Sequence, residues 1–146
     1  MFRRLMIANR GEVAVRIART CRRLGVETVG VYSEADAGAP WLDVFDLAVC
    51  IGPGHPARSY LDQDAILQAA VQTGCSALHP GWGFLAEDPL LARMCGQFGV
   101  TFVGPPPGVM RTMAESTPGT GRNALRPTLN SFSTLATLRT PMDRAP

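Results

Sequence analysis

The chain has 146 residues, which is room for one domain of ordinary size with a buried core. Its formal net charge is only +2, all fourteen basic residues are arginine, and no basic run alternates with aromatic residues, which argues against a nucleic-acid partner. No segment approaches the roughly 20 consecutive apolar residues of a membrane-spanning helix, so we predict no membrane contact.

The cysteines and the start of the chain indicate the compartment. The four cysteines are widely spaced, form no C-x-x-C motif and each lie in or beside an apolar segment, which favours free core thiols over disulfides or metal ligands. Residues 1–4 are basic, but the apolar run that follows them is too short for a signal peptide. These features predict a cytoplasmic protein.

The first predicted elements are a strand, a tight turn, a helix and a second strand. Residues 5–8 form a short apolar run, residues 9–12 form a turn, and apolar side chains then recur at helical spacing until Gly25 ends the helix. Residues 28–32 are rich in β-branched side chains and predict the second strand.

The same alternation continues along the chain. The remaining predicted elements are, in order, a strand at 47–51, a helix from Asp62 that ends before Gly74, a strand at 74–78, a helix at 89–97 and a strand at 100–103. Strands that alternate with helices imply parallel pairing through crossover helices. We therefore predict an α/β fold, a Rossmann-like parallel sheet of about five strands flanked by helices.

The pattern ends near residue 113. Residues 114–146 are a mixture of Thr, Ser, Pro, Arg and Leu without helical or alternating period. We predict a folded domain at 1–113 and an irregular or disordered tail at 114–146.

One loop is the best candidate for a binding site. Gly81, Trp82, Gly83 and Phe84 follow the fourth predicted strand, and ligands of open α/β sheets bind at the carboxyl ends of the strands. Two glycines around an aromatic residue would let the backbone approach a ligand and leave a flat side chain to cover it. The alternative, a tight turn with Trp82 packed on the core, is equally compatible with the sequence.

No catalytic constellation is visible. His79 lies where a general base would be useful, but it has no partner in the sequence, so a buried structural histidine is the favoured interpretation. Asp62, Asp64, Glu87 and Asp88 resemble acids that stabilise helix N-termini. The turn at 9–12 has one glycine where a G-x-G-x-x-G fingerprint needs three, which argues against NAD, and its Asn9 and Arg10 are predicted to shape the turn or contact neighbouring backbone.

Six segments in order resemble a known family. They are Ile7-Ala8-Asn9-Arg10-Gly11-Glu12, Val31-Tyr32-Ser33-Glu34-Ala35-Asp36, Cys50-Ile51-Gly52-Pro53, Ser59-Tyr60-Leu61, His79-Pro80-Gly81-Trp82-Gly83-Phe84-Leu85 and Phe102-Val103-Gly104-Pro105. Each is weak alone, but together, over residues 2–113, they closely resemble the N-terminal domain of biotin carboxylase, the Rossmann-like domain that precedes an ATP-grasp fold.

The resemblance implies a chemistry and partners. Biotin carboxylases use ATP and Mg²⁺ to activate bicarbonate as carboxyphosphate, and the CO₂ released from it carboxylates N1 of biotin on a carrier protein. The resemblance thus implies a biotin carboxyl carrier protein and a carboxyltransferase as partners, in an acyl-CoA carboxylase or pyruvate carboxylase. It leaves open which acyl-CoA or pyruvate is served.

The resemblance also assigns residues. It places Gly81, Trp82, Gly83 and Phe84 at the rim of the biotin and bicarbonate pocket, with Trp82 where tyrosine is usual. It places Arg16 and Arg19 on a helix near the dimer contact of the bacterial enzymes, although a solvated basic helix face explains both arginines equally well.

The chain departs from the family at Ala114. The family continues with Gly-Asp-Lys, whose lysine reaches toward ATP phosphate, whereas this chain has Ala114-Glu115-Ser116 and no lysine anywhere. We predict that this chain alone binds no ATP or metal tightly and is inactive. We also predict that the reading frame is shifted or truncated after Met113. The alternatives are a non-catalytic nucleotide- or effector-binding module, or a subunit-interaction fragment that docks through the Arg16 face.

Overall fold

A six-stranded sheet lies at the centre of the described part of the chain. The computed structural model describes residues 1–115 and the pair 138–139. Its strands are β1 (Arg4–Ile7), β2 (Glu27–Tyr32), β3 (Leu47–Cys50), β4 (Ala77–His79), β5 (Thr101–Phe102) and β6 (Leu138–Arg139). Their order across the sheet is β5-β4-β1-β2-β3-β6, and β1 to β5 are mutually parallel, which confirms the predicted Rossmann-like α/β class.

Helices connect the strands. The α-helices are α1 (Gly11–Arg23), α2 (Gln63–Gln72), α3 (Pro89–Gln97) and α4 (Pro107–Glu115), and short 3₁₀ helices occupy Glu34–Asp36, Pro40–Val44 and Pro56–Arg58. The Asp62 carboxylate accepts from the Ala65 N–H at 3.0 Å, and the Asp88 carboxylate accepts from the Leu90 N–H at 2.8 Å. These two acids therefore cap helix N-termini as predicted.

The apolar residues of the parallel strands alternate between two cores. On one face, side chains of β1, β2 and β4 pack with α2 and α3; this core includes Met6, Val29, Val31, Ile66, Leu78 and Leu91. On the other face they pack with α1 and the segment Pro40–Val44; this core includes Leu5, Ile7, Ala14, Ala18, Phe45 and Ala77. Burial on both faces explains why the strands read as nearly continuous apolar runs.

Some boundaries differ from the prediction. The strand predicted at 74–78 is β4 at Ala77–His79, because Gly74 has φ +68° and Cys75 donates its N–H back to the Ala70 carbonyl at 2.9 Å. That bond belongs to the end of α2, so Gly74 and Cys75 close the helix, and Ser76 is the first residue whose N–H bonds a neighbouring strand, at the Arg4 carbonyl. The helix α4 was not predicted, and it crosses the predicted domain boundary at 113.

The predicted irregular tail lies mainly outside the described residues. Of residues 114–146, the structure describes the end of α4 and the pair Leu138–Arg139, which forms β6 antiparallel to β3 at the edge of the sheet. This sixth strand adds to the five that the sequence predicts. None of the helices within the described ranges is long and apolar enough to cross a membrane.

Candidate functional site

Loops from several strands meet at the carboxyl edge of the sheet. Because β1, β2 and β4 are parallel neighbours, the residues that follow them lie at the same edge. Asn9 follows β1, Asp36 follows β2, and the segment Gly81–Phe84 follows β4, which confirms the predicted position of the aromatic loop. We call residues 81–84 the aromatic loop below.

Asn9 anchors the start of the aromatic loop. Its side chain is buried, and its Nδ2 donates to the carbonyl oxygens of Pro80 at 2.8 Å and Trp82 at 3.0 Å. Its Oδ1 accepts from the Arg10 N–H at 2.9 Å. The first two bonds join the turn after β1 to the loop after β4, and the third lies within the turn itself. Asn9 therefore contacts neighbouring backbone, as one of the sequence interpretations held.

The glycines of the aromatic loop have different roles. Gly81 has φ +72°, and a Cβ there would lie 2.7 Å from Asn9 Nδ2 and 2.8 Å from Val13 Cγ1. Gly83 has φ +68° but open space around it. Gly81 is therefore required by both backbone conformation and close packing, whereas Gly83 is required by conformation alone.

Trp82 decides between the two interpretations of the loop. Its side chain is 73% exposed, so the alternative of a tryptophan packed on the core is wrong. Phe84 is 41% exposed and is also available at the surface. The loop thus presents two aromatic side chains at the edge where an α/β sheet binds its ligands.

Phe84 rests on a buried tyrosine. The rings of Phe84 and Tyr60 are stacked, with centroids 5.6 Å apart and planes 24° apart. The Tyr60 hydroxyl donates to Asp36 Oδ2 at 2.6 Å and accepts from the Ser33 N–H at 3.1 Å. Burial, and then the bond to Asp36, raises the pKa of Tyr60, which stays protonated. The Arg10 guanidinium carbon lies 5.6 Å from the centre of the Tyr60 ring.

The side chain of His79 bonds the backbone of the aromatic loop. Its Nδ1 accepts from the Gly81 N–H at 3.0 Å, and burial lowers the pKa of His79 below its usual 6.5, so the ring is neutral at pH 7. No nucleophile is bonded to it among the described residues, and within residues 1–115 and 138–139 no group of His, Cys, Asp or Glu is placed to hold a metal.

The arginines of α1 lie elsewhere. Arg16 and Arg19 are exposed on α1, and neither forms a salt bridge within the described part of the chain. Arg16 lies at an apolar groove of about 520 Å³ between α1 and the β4–β5 side of the sheet, whose exposed members include Phe2 and Leu24. The predicted dimer contact is compatible with this position and stays a prediction.

Comparison with known proteins identifies the family of the chain. The family "Biotin carboxylase, N-terminal domain" matches residues 1–110. The chain belongs to the biotin carboxylase family. It is 54% identical over 105 residues to biotin carboxylase 1 of Bacillus subtilis, and this match covers 72% of the chain and 23% of that protein. It is 49% identical over 112 residues to the mitochondrial methylcrotonoyl-CoA carboxylase subunit alpha of rice, covering 77% of the chain and 15% of that subunit.

A solved structure shows the same fold. The biotin carboxylase domain dimer of Hydrogenobacter thermophilus 2-oxoglutarate carboxylase, in complex with MgADP, ADP and bicarbonate, superposes with a TM-score of 0.74 at 42% identity. The match covers 77% of this chain and 25% of that one. The chain therefore spans a quarter or less of these three relatives and corresponds to their N-terminal domain.

The sequence does not single out Tyr60 and Asp36, two residues that the structure brings together at this edge. In the sequence Tyr60 stands only as part of a family-like segment, and Asp36 only as part of a predicted turn. The hydrogen bond between their side chains joins positions 24 residues apart. The one available signal was that both stand in family-like segments. Ser116, where the family has lysine, lies outside the described residues.

Proposed function

We propose that this chain forms the rim of the biotin and bicarbonate pocket of a biotin carboxylase, with Gly81, Trp82, Gly83 and Phe84 as the rim residues. The observation that supports this role is the 73% exposure of Trp82 on a loop whose backbone is fixed by Asn9. An exposed aromatic ring on a fixed loop can cover a flat heterocycle at little entropic cost.

The described residues do not fit ATP and Mg²⁺. The turn after β1 has bulky Arg10 and Glu12 beside its single glycine, no acidic cluster is placed for a metal within the described residues, and the sequence has no lysine. We therefore assign no phosphoryl-transfer step to this chain. The bound MgADP and bicarbonate of the Hydrogenobacter thermophilus structure support ATP, Mg²⁺ and bicarbonate as reactants of the whole enzyme.

The partners follow from the same proposal. The similarity to a methylcrotonoyl-CoA carboxylase subunit supports a biotin carboxyl carrier protein and a carboxyltransferase as partners. The domain dimer named for the Hydrogenobacter thermophilus protein supports a homodimer. We propose α1, with its exposed Arg16 and Arg19, as the contact. The four cysteines are free thiols, which supports a reducing compartment such as the cytoplasm.

A domain exchange tests the proposed function. Residues 1–110 of this chain replace the matching part of Bacillus subtilis biotin carboxylase 1, and ATP hydrolysis that depends on free biotin and bicarbonate is measured. We expect the chimera to be active and the 146-residue chain alone to be inactive. A folded but inactive chimera, or biotin-dependent activity of the chain alone, would contradict the proposal.

Substitutions in the chimera then test the rim. We expect Trp82→Ala to raise the KM for biotin about tenfold, as the loss of one good ring contact predicts, while Trp82→Tyr stays within about twofold. Phe98→Ala is the matched control, because Phe98 is also an exposed aromatic side chain (41%) but lies at the opposite edge of the sheet. An unchanged KM in Trp82→Ala would remove Trp82 from the rim.

The groove beside α1 favours a second candidate, a subunit-interaction role. Exposed Phe2 and Leu24 flank a groove that Arg16 also lines. If this face docks on an intact carboxylase, the chain should co-purify with it, and charge reversal at Arg16 and Arg19 should abolish the association. Unchanged co-purification after charge reversal would reject docking through this face.

A further inference from the structure

We infer that Tyr60 is the positioning residue of the aromatic loop: it holds the end of the loop through Phe84, as Asn9 holds its start. This inference deepens the proposed function and rests on it for its catalytic consequence. The loop needs such a second anchor, because the Asn9 bonds reach only the carbonyl groups of Pro80 and Trp82.

The conformation of Phe84 requires a compensating contact. Phe84 has φ +44°, and it is the only non-glycine residue with positive φ among residues 1–115 and 138–139. A bulky side chain is strained in this region, and such strain persists only where the surroundings enforce it. The ring stacked on Phe84 belongs to Tyr60.

Tyr60 is itself held firmly. It is 2% exposed, its hydroxyl donates to Asp36, and it accepts from the Ser33 N–H. Asp36 Oδ2 also accepts from Ser33 Oγ at 3.2 Å and lies 3.5 Å from the Arg10 guanidinium. The tyrosine ring therefore joins the exits of β1 and β2 to the loop after β4, although it comes from none of these strands.

Trp82 lies between the two anchors. Asn9 binds the carbonyl of Trp82 itself, and Phe84 follows two residues later on Tyr60. The carbonyl of Gly83, the residue between Trp82 and Phe84, accepts from the Ala86 N–H at 2.9 Å, and this bond closes a turn. Loss of the contact between Phe84 and Tyr60 would free the peptide units on the carboxyl side of Trp82. The exposed indole would then reorient more freely.

The test measures the local motion of Trp82 in the 146-residue chain. Trp41, the other tryptophan, is replaced by Phe, so that time-resolved fluorescence anisotropy reports Trp82 alone. Two variants each remove one ring of the stacked pair: Tyr60→Leu removes the tyrosine ring and Phe84→Ala removes the phenylalanine ring. A third variant, Tyr60→Phe, keeps both rings and removes only the Tyr60 hydroxyl. Ile66→Val is the control, because Ile66 belongs to the same buried core as Tyr60 but lies on α2, outside the aromatic loop.

The expected result separates positioning from mere core packing. Tyr60→Leu and Phe84→Ala should each raise the population of freely moving Trp82 about fivefold, the factor that the free energy of one aromatic pair corresponds to. Tyr60→Phe and Ile66→Val should leave it within about twofold of the parent. Since Phe84 is partly exposed, Phe84→Ala keeps the test valid if Tyr60→Leu does not fold.

Two outcomes would overturn the inference. One is unchanged Trp82 motion in Phe84→Ala, and the other is an equal increase in Ile66→Val, which would make the effect one of general stability. The anisotropy measurement needs neither ATP nor biotin, so a failed chimera assay would contradict the proposed function and leave the positioning role standing. In an active chimera, Tyr60→Leu should raise the KM for biotin, as Trp82→Ala does, and Tyr60→Phe should restore it.

Discussion

Removing the Asn9 side chain should loosen the aromatic loop and destabilise the domain. Asn9→Ala deletes one fully buried hydrogen bond, to the Pro80 carbonyl, and two partly buried ones, to the Trp82 carbonyl and from the Arg10 N–H. At about 1 kcal/mol for a buried bond and less where water can substitute, the loss is about 2 kcal/mol. Urea unfolding followed by circular dichroism measures it as a lower midpoint at constant slope.

The isosteric variant Asn9→Asp tests the amide donor directly. In Asn9→Asp a carboxylate oxygen replaces the amide nitrogen and faces two carbonyl oxygens, at the present 2.8 and 3.0 Å, in a side chain that is 2% exposed. Repulsion and burial of the charge make this variant less stable than Asn9→Ala, although its volume is unchanged. Arg93→Ala, an exposed site in α3, is the control and should change stability by less than about 0.5 kcal/mol. If Asn9→Asp were as stable as Asn9→Ala or more so, the amide donor would not be what holds the loop.

Three further predictions concern the same edge and the core thiols. Gly81→Ala should cost about 3 kcal/mol in urea unfolding and Gly83→Ala about 1 kcal/mol, because only the first adds a clash to the backbone strain; equal costs would contradict the role of the close approach to Asn9. Burial lowers the pKa of His79, so the stability that its neutral ring contributes is complete above pH 6.5 and is lost as the pH falls toward the folded-state pKa. His79→Asn, which can still accept from the Gly81 N–H, should flatten the fall of the urea midpoint between pH 7 and 5; an unchanged slope would remove His79 as its cause. Burial raises the pKa of Cys95 to about 11 and also raises the pKa values of Cys21 and Cys75, so a thiol reagent should modify the half-buried Cys50 first in the folded chain, as peptide mass mapping would show.

The sheet was predictable because β1 to β4 are buried on both faces and the helices between the strands carry their own end signals. Asp62 and Asp88 cap helices where the sequence places them, and the aromatic loop leaves β4 at the expected edge. The contact between Tyr60 and Asp36 was not predictable, since it joins two irregular segments whose relative position depends on the packing of the whole sheet. The exposure of Trp82 could not be predicted either, because a glycine–aromatic–glycine sequence permits both an indole that covers a ligand and an indole that packs on the core.

The role of Asn9 follows from the register of the sheet. The last aligned pair of β1 and β4 is Ile7 with His79, and the Ala8 N–H donates to the His79 carbonyl at 2.9 Å. Two residues further along each chain, Asn9 lies opposite Gly81, and its side-chain amide bonds the carbonyls on either side of that glycine. The amide thus continues the hydrogen-bond ladder after the backbone of β1 has turned into α1. Because a ladder bond demands close approach, position 81 must lack a Cβ, and the backbone of the exposed tryptophan beside it is bonded to the turn after β1.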